Sequence, residues 1–546
     1  MALSLTAEQR NIEQIFGSPE VFIIPAYQRP YSWEYDQCIQ LYKDLTDAFN
    51  DNEKDYFVGN IIVAKSLSER NNRYVVDGQQ RLITLWLMLR ILYLLYPDFI
   101  VLEKLTSIEG REKGQQYLMK LQSYVFENKD NDSLEEIFNI KEESQLENIY
   151  NNYCNRLGNF VESRCENRIL ANALWFYYWL KDFSLKDICR FKSFINYLLD
   201  HLYLLPIELT EDSVLNANNK ALKIFETINN RGMNLEDADI FKAKLYDKAV
   251  ANNEREVFIK SWTDFRQSAH DLGLAVDDIF RYYSHIIRGQ RQITASEKNL
   301  REFFIEEDFS PLITASPMMV LSDMNKIIDC INFVQYSKYD GSEVSKWLQV
   351  ISAYTNQYPM YAIVIYLYFN GHKNNKSLID FLKSIIRFIY PSGTTTTIKF
   401  EIYNIIRQVA QGEQISEYYN NHKLKESEFA FPTKLRKGFA LLNYYLKGGE
   451  ALIEFNYDKI IKADDIFDVK EYNSDDILQS LGNDLILDIP RRYIEWGEEK
   501  KNYYKKSAIS DVAMISNTLD IASYIKNREQ EIKQRLYSFF YTSIVR

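Results

Sequence analysis

The sequence predicts an α+β protein that is mainly α, and three observations support this fold class. The 546 residues include only 18 glycines and 11 prolines, so few tight turns interrupt long stretches rich in Leu, Ile, Lys, Glu and Asn, which favour helices. A few short β-prone runs stand between the helical stretches of the first half. Hydrophobic residues make up 46% of the chain, enough for a globular protein, and the length implies three or four structural units.

The elements follow from residue patterns along the chain. Strands are predicted where β-branched and aromatic residues cluster between turn signals, and helices where apolar residues recur at helical spacing. The predicted strands are Val21–Ile24, Tyr56–Ala64, Tyr74–Val76 and Leu202–Leu209. The predicted helical stretches are Leu3–Phe16, Glu34–Asn50, Phe99–Asp200 and Asn252–Lys447.

Composition excludes several classes of protein. The net charge of −11 disfavours a protein that coats nucleic acid through bulk electrostatics, although it allows a local basic patch. The five cysteines include no CxxC pair, so neither a disulfide framework nor a zinc finger is indicated. A reducing cytoplasm is therefore the expected location.

Neither a targeting segment nor a membrane span is predicted. Leu3–Phe16 has no basic n-region and no continuous apolar run. Leu82–Leu102 is apolar enough to be considered as a span, but it contains Arg90 and Pro97 and is better explained as a core helix that ends near Tyr96. No membrane partner is expected.

The stretch Tyr74–Leu85, YVVDGQQRLITL, predicts a strand, a tight turn and a helix. The first amides of a helix lack intrahelical partners and bind anions, and Gly78 permits close backbone approach. Arg81 adds a forked cationic donor, while Asp77 can cap the helix, hold a ribose hydroxyl or ligate Mg²⁺. A capped helix start with a surface arginine explains the local pattern equally well.

Ala26–Trp33, AYQRPYSW, is predicted to be extended because Pro30 disfavours helix in the residue before it. Its amide, guanidinium and aromatic groups suit a nucleobase or a phosphate, while aromatic packing before the next helix is the alternative. Gly59, in the following predicted strand, marks a point of close approach. The candidate binding residues of this segment are Gln28, Arg29, Tyr31 and Trp33.

A second motif lies at Ala221–Tyr246, ALKIFETINNRGMNLEDADIFKAKLY. The pattern predicts a helix that ends at Gly232 and a second helix after it. An ion-paired corner between helices and direct ligand contact both explain its polar residues. These residues are Asn229, Arg231, Asp239 and Lys242.

QRPYSW, YFVGNIIV and VVDGQQRLITL, in this order, resemble the N-terminal domain of GmrSD-type modification-dependent (type IV) restriction systems, which is similar to the ParB/sulfiredoxin nucleotidase fold. The segment Ala221–Tyr246 resembles the second motif of that family. The resemblance implies that both motifs form one site, which binds and hydrolyses a nucleoside triphosphate with Mg²⁺ as cofactor. Foreign DNA, including modified phage DNA, is the implied target.

The resemblance also implies roles for individual residues. Gly78 and the amides after it would hold phosphates, Arg81 would neutralise developing charge, and Gln28 with Arg29 would close over the nucleotide. Asp77, Gln80 and Arg81 are the implied catalytic residues, with Asp77 also as the metal ligand. The implied nucleotide-binding residues are Gln28, Arg29, Tyr31, Trp33, Gly78, Gln79, Asn229, Arg231, Asp239 and Lys242.

The tail Ser480–Asp511 resembles one stretch of the His-Asn-His (ββα-metal) nucleases that accompany this domain, with Gly482-Asn483 in register. The other stretch is not intact, since Tyr457–Lys462 stands where a Glu-His pair is expected. The chain's five histidines are His201, His270, His285, His372 and His422. No histidine of the tail can therefore serve as the base of such a nuclease.

We therefore expect a degenerate ββα-type nuclease-like region that contacts DNA or supports assembly. Asp458, Asp464 and Asp465 are carboxylates that can bind Mg²⁺ there, but without a positioned base the chemistry is weakened. The run KKNYYKK suits phosphate contact with stacking, and a solvated helix face explains it equally well. The candidate DNA-binding residues are Lys500, Lys501, Lys505 and Lys506.

The sequence thus predicts four domains. They are a nucleotide-binding domain at 1–100, a helical insertion with the second motif at 101–250, a helical connector or sensor at 251–447 and the nuclease-like region at 448–546. The expected function is anti-phage defence controlled by nucleotide hydrolysis. A DNA nuclease acting through the N-terminal domain or the tail carboxylates, and a non-enzymatic sensor that recruits a separate nuclease, are the alternatives; a homo-oligomer is a further expectation.

Overall fold

The structure is a computed structural model, and it describes most of the chain. The described residues are 5–26, 28–69, 71–108, 117–125, 130–155, 160–165, 167–211, 237–372, 375–391, 395–413, 431–462 and 474–541. Contacts divide the chain into two compact units, Met1–Ile259 and Lys260–Arg546. The domain boundaries after residues 100, 250 and 447 remain predictions.

The first unit is built on a mixed β-sheet. Its strands are β1 (Leu5–Ala7), β2 (Arg10–Asn11), β3 (Val21–Ile24), β4 (Tyr56–Ser66), β5 (Asn72–Asp77), β8 (Leu121–Ser123) and β9 (Leu202–Glu211), while β6 (Ser107–Ile108) and β7 (Leu118–Met119) form a separate pair. The order is β1-β9-β4-β5-β3-β8, with β2 also on β9. Strands β3, β5 and β8 are mutually parallel, and β4 is antiparallel to β5 but parallel to β9.

This topology brings the two N-terminal motifs together. Because β3 and β5 are parallel neighbours, the segments that follow them leave the sheet at the same edge. Ala26–Trp33 follows β3, and the Asp77-Gly78 turn follows β5. The two predicted motifs are therefore adjacent as a direct result of strand order.

Helices pack on one face of this sheet. They are α1 (Ile12–Phe16), α2 (Tyr35–Asn50), α3 (Gln79–Leu95), α4 (Ile100–Thr106), α5 (Asp130–Asn139), α6 (Glu143–Asn152), α7 (Arg168–Lys186) and α8 (Ile188–Asp200). Helix α9 (Asp237–Ala251) also belongs to this unit. Side chains alternate across a strand. Accordingly, Ile61, Val63 and Val75 join the large core under the helices, while Ile62 and Val76 join a smaller cluster on the opposite face.

Two sequence predictions in this unit are wrong in part. Leu3–Phe16 is not one helix, because Leu5–Ala7 is a strand paired antiparallel with β9 and only Ile12–Phe16 is helical. The Phe99–Asp200 stretch is not helical throughout, because Leu121–Ser123 forms an edge strand beside β3. All four predicted strands are confirmed, and so is the predicted end of a core helix near Tyr96.

The second unit is helical apart from one pair of strands within its described residues. Its helices are α10 (Arg255–Asp271, which contains the division between the units), α11 (Val276–Gln290), α12 (Leu300–Ile305), α13 (Pro311–Thr314), α14 (Pro317–Ser337), α15 (Glu343–Ser352), α16 (Tyr358–Asn370), α17 (Asn375–Ile389), α18 (Thr395–Ala410), α19 (Arg436–Leu446), α20 (Ser474–Leu478), α21 (Glu498–Tyr504), α22 (Ser510–Ile515) and α23 (Ile521–Tyr541). Strands β10 (Asn456–Lys459) and β11 (Asp484–Leu487) pair antiparallel.

The predicted fold class, α+β and mainly α, is confirmed: helices account for 62% of the structure and strands for 12%, and the sheet is mixed. Within the described ranges, every helix is too short or too polar to cross a bilayer.

Candidate functional site

The turn after β5 has the predicted strand, turn and helix geometry. Gly78 is the N-terminal cap of α3 and has a left-handed backbone with φ of 86°. A Cβ atom at this position would lie 2.7 Å from Cγ2 of Ile61 and 3.1 Å from the carbonyl oxygen of Asn60. Only glycine fits here, so the sequence can bring the amides at the start of α3 against β4.

Arg81 lies one turn into α3 and reaches back across β4. Its guanidinium donates a hydrogen bond to the carbonyl oxygen of Asn60. A Cβ atom at Gly59 would lie 2.6 Å from Nη1 of Arg81, so the predicted close-approach glycine makes room for this side chain. Among the described residues, no carboxylate lies within ion-pair distance of Arg81, and its charge interacts with Asp77 from further away.

Asp77 is the last residue of β5 and is half-buried near Arg81 and Arg29. Burial raises the pKa of its carboxyl group, while a hydrogen bond from the Gly78 amide and the charges of Arg81 and Arg29 oppose that rise. A carboxylate that is both desolvated and close to cations is suited to orient a water molecule, a ribose hydroxyl or a metal ion.

Gln79 and Gln80 hold the Ala26–Trp33 segment against the start of α3. Nε2 of Gln79 donates to the Arg29 carbonyl oxygen at 3.0 Å. Nε2 of Gln80 donates to the Pro30 carbonyl oxygen at 3.2 Å, and its Oε1 accepts from the Ser32 amide at 2.8 Å. Both ends of the Gln80 amide thus contact backbone, whereas Oε1 of Gln79 is buried and has no hydrogen-bond partner among the described residues.

Gln28 is buried and its side chain is directed at the sheet. Nε2 of Gln28 donates to the Val76 carbonyl oxygen at 3.0 Å, which attaches the segment to the end of β5. Arg29, the next residue, is exposed. Of this predicted pair, Arg29 is exposed near Asp77 and has no ion-pair partner among the described residues, whereas Gln28 is buried.

Tyr31 is an anchor in the core. Its hydroxyl group is 2.7 Å from Oγ1 of Thr84 and accepts from Nδ2 of Asn172 at 3.1 Å. Its backbone amide donates to Oδ2 of Asp130 at 2.8 Å. Burial raises the pKa of the Tyr31 hydroxyl group. The ring is 4% exposed, so it holds the segment in place rather than offering a stacking surface.

The second motif meets the first through Lys242 on α9. Nζ of Lys242 donates to the Gln28 carbonyl oxygen at 3.1 Å. Burial lowers the pKa of Lys242 to about 7, against the charge of Asp239, which raises it. Asn229 and Arg231 lie outside the described residues. The described half of the second motif therefore contacts the backbone of the QRPYSW segment.

An open cavity of about 500 Å³ adjoins Arg81 between α2 and the beginning of β4. It is lined by Trp33, Asp36, Gln37, Gln40, Leu41, Asp44, Tyr56, Val58 and Arg81. Trp33, a predicted binding residue, is partly exposed here. Arg81 lies at the turn and also lines the cavity, so a ligand bound at the turn can extend into the cavity.

Several residues that position the site were not foreseen. Asp130 and Asn172 hold Tyr31, and Arg168 donates to the Ser32 carbonyl oxygen at 2.8 Å and pairs with Glu34. Asn172 lies in the apolar run ILANALWF, where a polar side chain must find a partner, so the sequence held a signal for it. The sequence held no comparable signal for Asp130 or Arg168.

A second charged cluster lies around the opposite end of β5. Arg73 pairs with Glu20 and lies 3.2 Å from Glu208, and Lys65 lies 2.9 Å from Glu20 and 3.1 Å from Glu208. Arg10 adds a contact of 3.0 Å to Glu208. These charges are mutually paired and largely buried, so this cluster is a structural ion network.

In the second unit, the tail that was predicted to resemble a nuclease contains a loop fixed by Asn483, and the nuclease resemblance remains a prediction. Asn483 accepts from the Ile461 amide at 2.8 Å and donates to the Ile461 carbonyl oxygen at 3.0 Å, fixing the loop after β10 to β11. The Asp458 carboxylate lies 3.3 Å from Lys462 and 3.4 Å from Arg491. Two cations thus compensate the charge of Asp458. Asp464 and Asp465 lie outside the described residues.

The lysines of the KKNYYKK run differ in exposure. Lys500 is 2% exposed, which argues against direct contact with DNA. Lys501 is partly buried and pairs with Glu498 at 3.1 Å, while Lys505 and Lys506 are exposed. The DNA-binding role of these residues remains a prediction, centred on Lys505 and Lys506.

Comparisons with known proteins bear on the first unit. A search of curated proteins gives no match to the chain. The family model described as "GmrSD restriction endonuclease, N-terminal domain" matches residues 12–246, a range that contains the β5–α3 turn, the QRPYSW segment and Lys242. The match supports the GmrSD-type restriction family for this part of the chain.

Proposed function

We propose that the chain is a restriction-type anti-phage defence protein that binds and hydrolyses a nucleoside triphosphate at the β5–α3 turn. The observation that carries the proposal is the position of Arg81, a cation without an ion-pair partner among the described residues, beside the Gly78 cap and the open cavity. The family match supports the restriction part of the proposal.

The turn offers two kinds of group to phosphate oxygens, backbone amides and guanidinium groups. The amides at the start of the 17-residue helix α3 have no partners within the helix and lie at the positive end of its dipole. Arg81 provides a forked guanidinium that already donates to the Asn60 carbonyl oxygen, so its side chain loses little further conformational freedom when a phosphate binds. Arg29 is exposed close to Asp77 and adds a second cation. Together they stabilise the charge that develops during phosphoryl transfer.

Asp77 is the group that would hold Mg²⁺ at the turn. Within the described residues, no three His, Cys, Asp or Glu side chains form a metal site by themselves. One carboxylate together with substrate phosphates is nevertheless a donor set that Mg²⁺ accepts, so the residues fit a metal that arrives with the nucleotide. The ion would neutralise phosphate oxygens. Asp77, with a pKa raised by burial, would also accept a hydrogen bond from the attacking water.

The downstream target in this proposal is foreign DNA, including modified phage DNA. The tail would contact DNA without cutting it, because no histidine follows His422 and Asp458 is already paired with two cations. Of the four candidate DNA-binding lysines, Lys505 and Lys506 are exposed and available for phosphate contact. A separate nuclease would then complete restriction.

Phosphate release by the purified full chain tests the proposal. It is measured for each common nucleoside triphosphate with Mg²⁺, with and without DNA. We expect Arg81→Ala to reduce turnover by about 10²- to 10³-fold, the usual loss when one charge-stabilising donor is removed. Arg190→Ala is the matched control, because Arg190 is an exposed arginine of the same unit that contacts Asn50 instead.

The outcomes separate three functions. Turnover that Arg81→Ala abolishes and Arg190→Ala retains supports the nucleotidase. Binding without turnover would make the protein a nucleotide sensor that recruits a nuclease. If neither binding nor turnover is found for any nucleotide, the proposal is wrong; Mg²⁺-dependent nicking of plasmid DNA that is lost in Asp77→Ala would then identify a nuclease.

A further inference from the structure

We infer that the cavity beside Arg81 is a nucleoside pocket that selects guanine. The inference rests on the proposed function and specifies the substrate of the same site. It depends on the shape of the cavity, on two carboxylates of α2 and on the tyrosine that positions one of them.

The cavity has one end near the turn and one end away from it. Trp33 marks the near end, because its amide contacts Oε1 of Gln80 at 3.3 Å, and Arg81 joins the cavity to the turn. Tyr56 marks the far end, at the beginning of β4. A nucleotide with its phosphates at Gly78 and Arg81 would therefore place its ribose near Trp33 and its base near Tyr56.

The charge of the cavity excludes the phosphates from it and favours a nucleoside. Asp36 and Asp44 both line the cavity, and Arg81 is the cation among its lining residues. The two carboxylates are on one helix, two turns or roughly 12 Å apart, a separation comparable with the length of a nucleoside. A ligand here must present hydrogen-bond donors at both ends, which ribose hydroxyls and a base with N–H groups do.

Asp44 is the carboxylate held in position for a base. Its Oδ1 accepts from Nε2 of Gln40 at 2.6 Å, and its Oδ2 accepts from the Tyr56 hydroxyl at 3.4 Å. Each carboxylate oxygen keeps a further lone pair. A base that stacks on the Tyr56 ring would direct its edge at these oxygens.

Guanine is the base whose edge matches Asp44. Its N1–H and N2–H groups are adjacent donors that a carboxylate accepts as a pair, whereas adenine and cytosine offer one amino group and uracil one imino group. Asp36, exposed at the near end, is then placed to accept from a ribose hydroxyl.

Calorimetric binding of guanosine triphosphate and inosine triphosphate to the full chain, with Mg²⁺, tests the inference. Inosine differs from guanosine only by the missing 2-amino group. We expect guanosine triphosphate to bind about 10-fold more tightly or better, since one hydrogen bond to a charged group is lost with inosine. Asp44→Asn should reduce the ratio of the two affinities to near one. Asp47→Asn, an exposed carboxylate of α2 outside the cavity, should retain the wild-type ratio.

The result also distinguishes this inference from the proposed function. If the two nucleotides bind equally tightly to the wild type, and Arg81→Ala still abolishes binding, guanine selection is wrong and the nucleotide site stands. If Asp44→Asn keeps the wild-type ratio, the pocket is wrongly assigned even though guanine is preferred. If no nucleoside triphosphate binds at all, both the inference and the proposed function are wrong.

Discussion

The two ends of β5 differ in how their charged residues are compensated. Arg73 lies near the beginning of the strand and Asp77 at its end. Around Arg73, the carboxylates of Glu20 and Glu208 pair with every cation of the cluster described above. Around Asp77, no described carboxylate pairs with Arg81. The paired end stabilises the fold. The cations at the other end have no ion-pair partner among the residues that the structure describes, so they are available to an anion.

The largest expected effect is on the paired end. Glu208→Gln should lower the free energy of unfolding by about 3–5 kcal/mol, because it leaves buried cations without their carboxylate. Urea unfolding measures this loss. Glu8→Gln is the matched control: Glu8 contacts the same Arg10 at 3.3 Å but is 73% exposed, so the change should stay within about 1 kcal/mol. Equal losses in both variants would contradict the structural role of the network.

Gly78→Ala should lower stability at the other end by less, about 1–3 kcal/mol, since the left-handed backbone is strained with a Cβ atom and that atom meets Ile61. It should also weaken nucleotide binding by displacing the α3 amides. The control is Gly341→Ala, where φ is 76° and, apart from the two chain neighbours, no atom of the described residues lies within 4 Å of the added Cβ. This control loses only the backbone contribution, about 1 kcal/mol, and keeps wild-type affinity. Unchanged nucleotide affinity in Gly78→Ala would argue against binding at the turn.

Replacing arginine by lysine sharpens the comparison without removing charge. Arg81→Lys should change the free energy of unfolding by less than about 1 kcal/mol but weaken nucleotide binding about 10-fold, because the forked donor is lost. Arg73→Lys should do the reverse, lowering stability while leaving affinity unchanged. Isothermal titration calorimetry and urea unfolding of the two variants give both quantities. If the two variants changed nucleotide affinity and the free energy of unfolding in the same way, the two ends of β5 would not differ as described.

The smallest expected effect is a pH dependence of opposite sign at the two ends. For Glu208, burial opposes ionisation, but Arg73, Lys65 and Arg10 outweigh it and lower its pKa below 4.5; its stabilising contribution is therefore present above pH 4.5 and lost as the pH falls through the folded-state pKa. For Asp77, burial raises the pKa above 3.8, so ionisation costs stability as the pH rises past 3.8.

Unfolding of the wild type, Glu208→Gln and Asp77→Asn across this pH range measures both contributions. The advantage of the wild type over Glu208→Gln should shrink on acidification. Asp77→Asn should become the more stable protein, by less than about 1 kcal/mol, as the pH rises toward neutrality. The same sign of pH dependence in both variants would contradict the assignment.

Local signals were sufficient to predict the turn but not all of its surroundings. The Asp77-Gly78 dipeptide between a β-prone run and an apolar helix predicted the geometry that is found, and Gly59 marked the approach of Arg81 correctly. The strand at Leu5–Ala7 was missed because its pairing partner, β9, lies far along the chain, and strand formation depends on such partners more than on local preference.

Residue type alone also failed to give side-chain direction. Gln28 and Tyr31 were predicted to contact a ligand, but their side chains bond to the Val76 carbonyl oxygen and to Thr84 inside the protein. An amide or a phenol suits a ligand and a core equally well. The deciding contacts, such as that from Asn172 to Tyr31, join parts of the chain that no local pattern relates.

Hydrogen exchange of the full chain, with and without the nucleoside triphosphate that binds most tightly, tests the central claim most directly. The amides at the start of α3, before Leu82, lack intrahelical partners, so a bound phosphate should slow exchange at Gly78–Arg81 and at the neighbouring Val58–Asn60 of β4. The paired end, around Phe22 and Arg73, should exchange at the same rate in both samples. Protection confined to the paired end, or absent from Gly78–Arg81 under saturating nucleotide, would contradict the account.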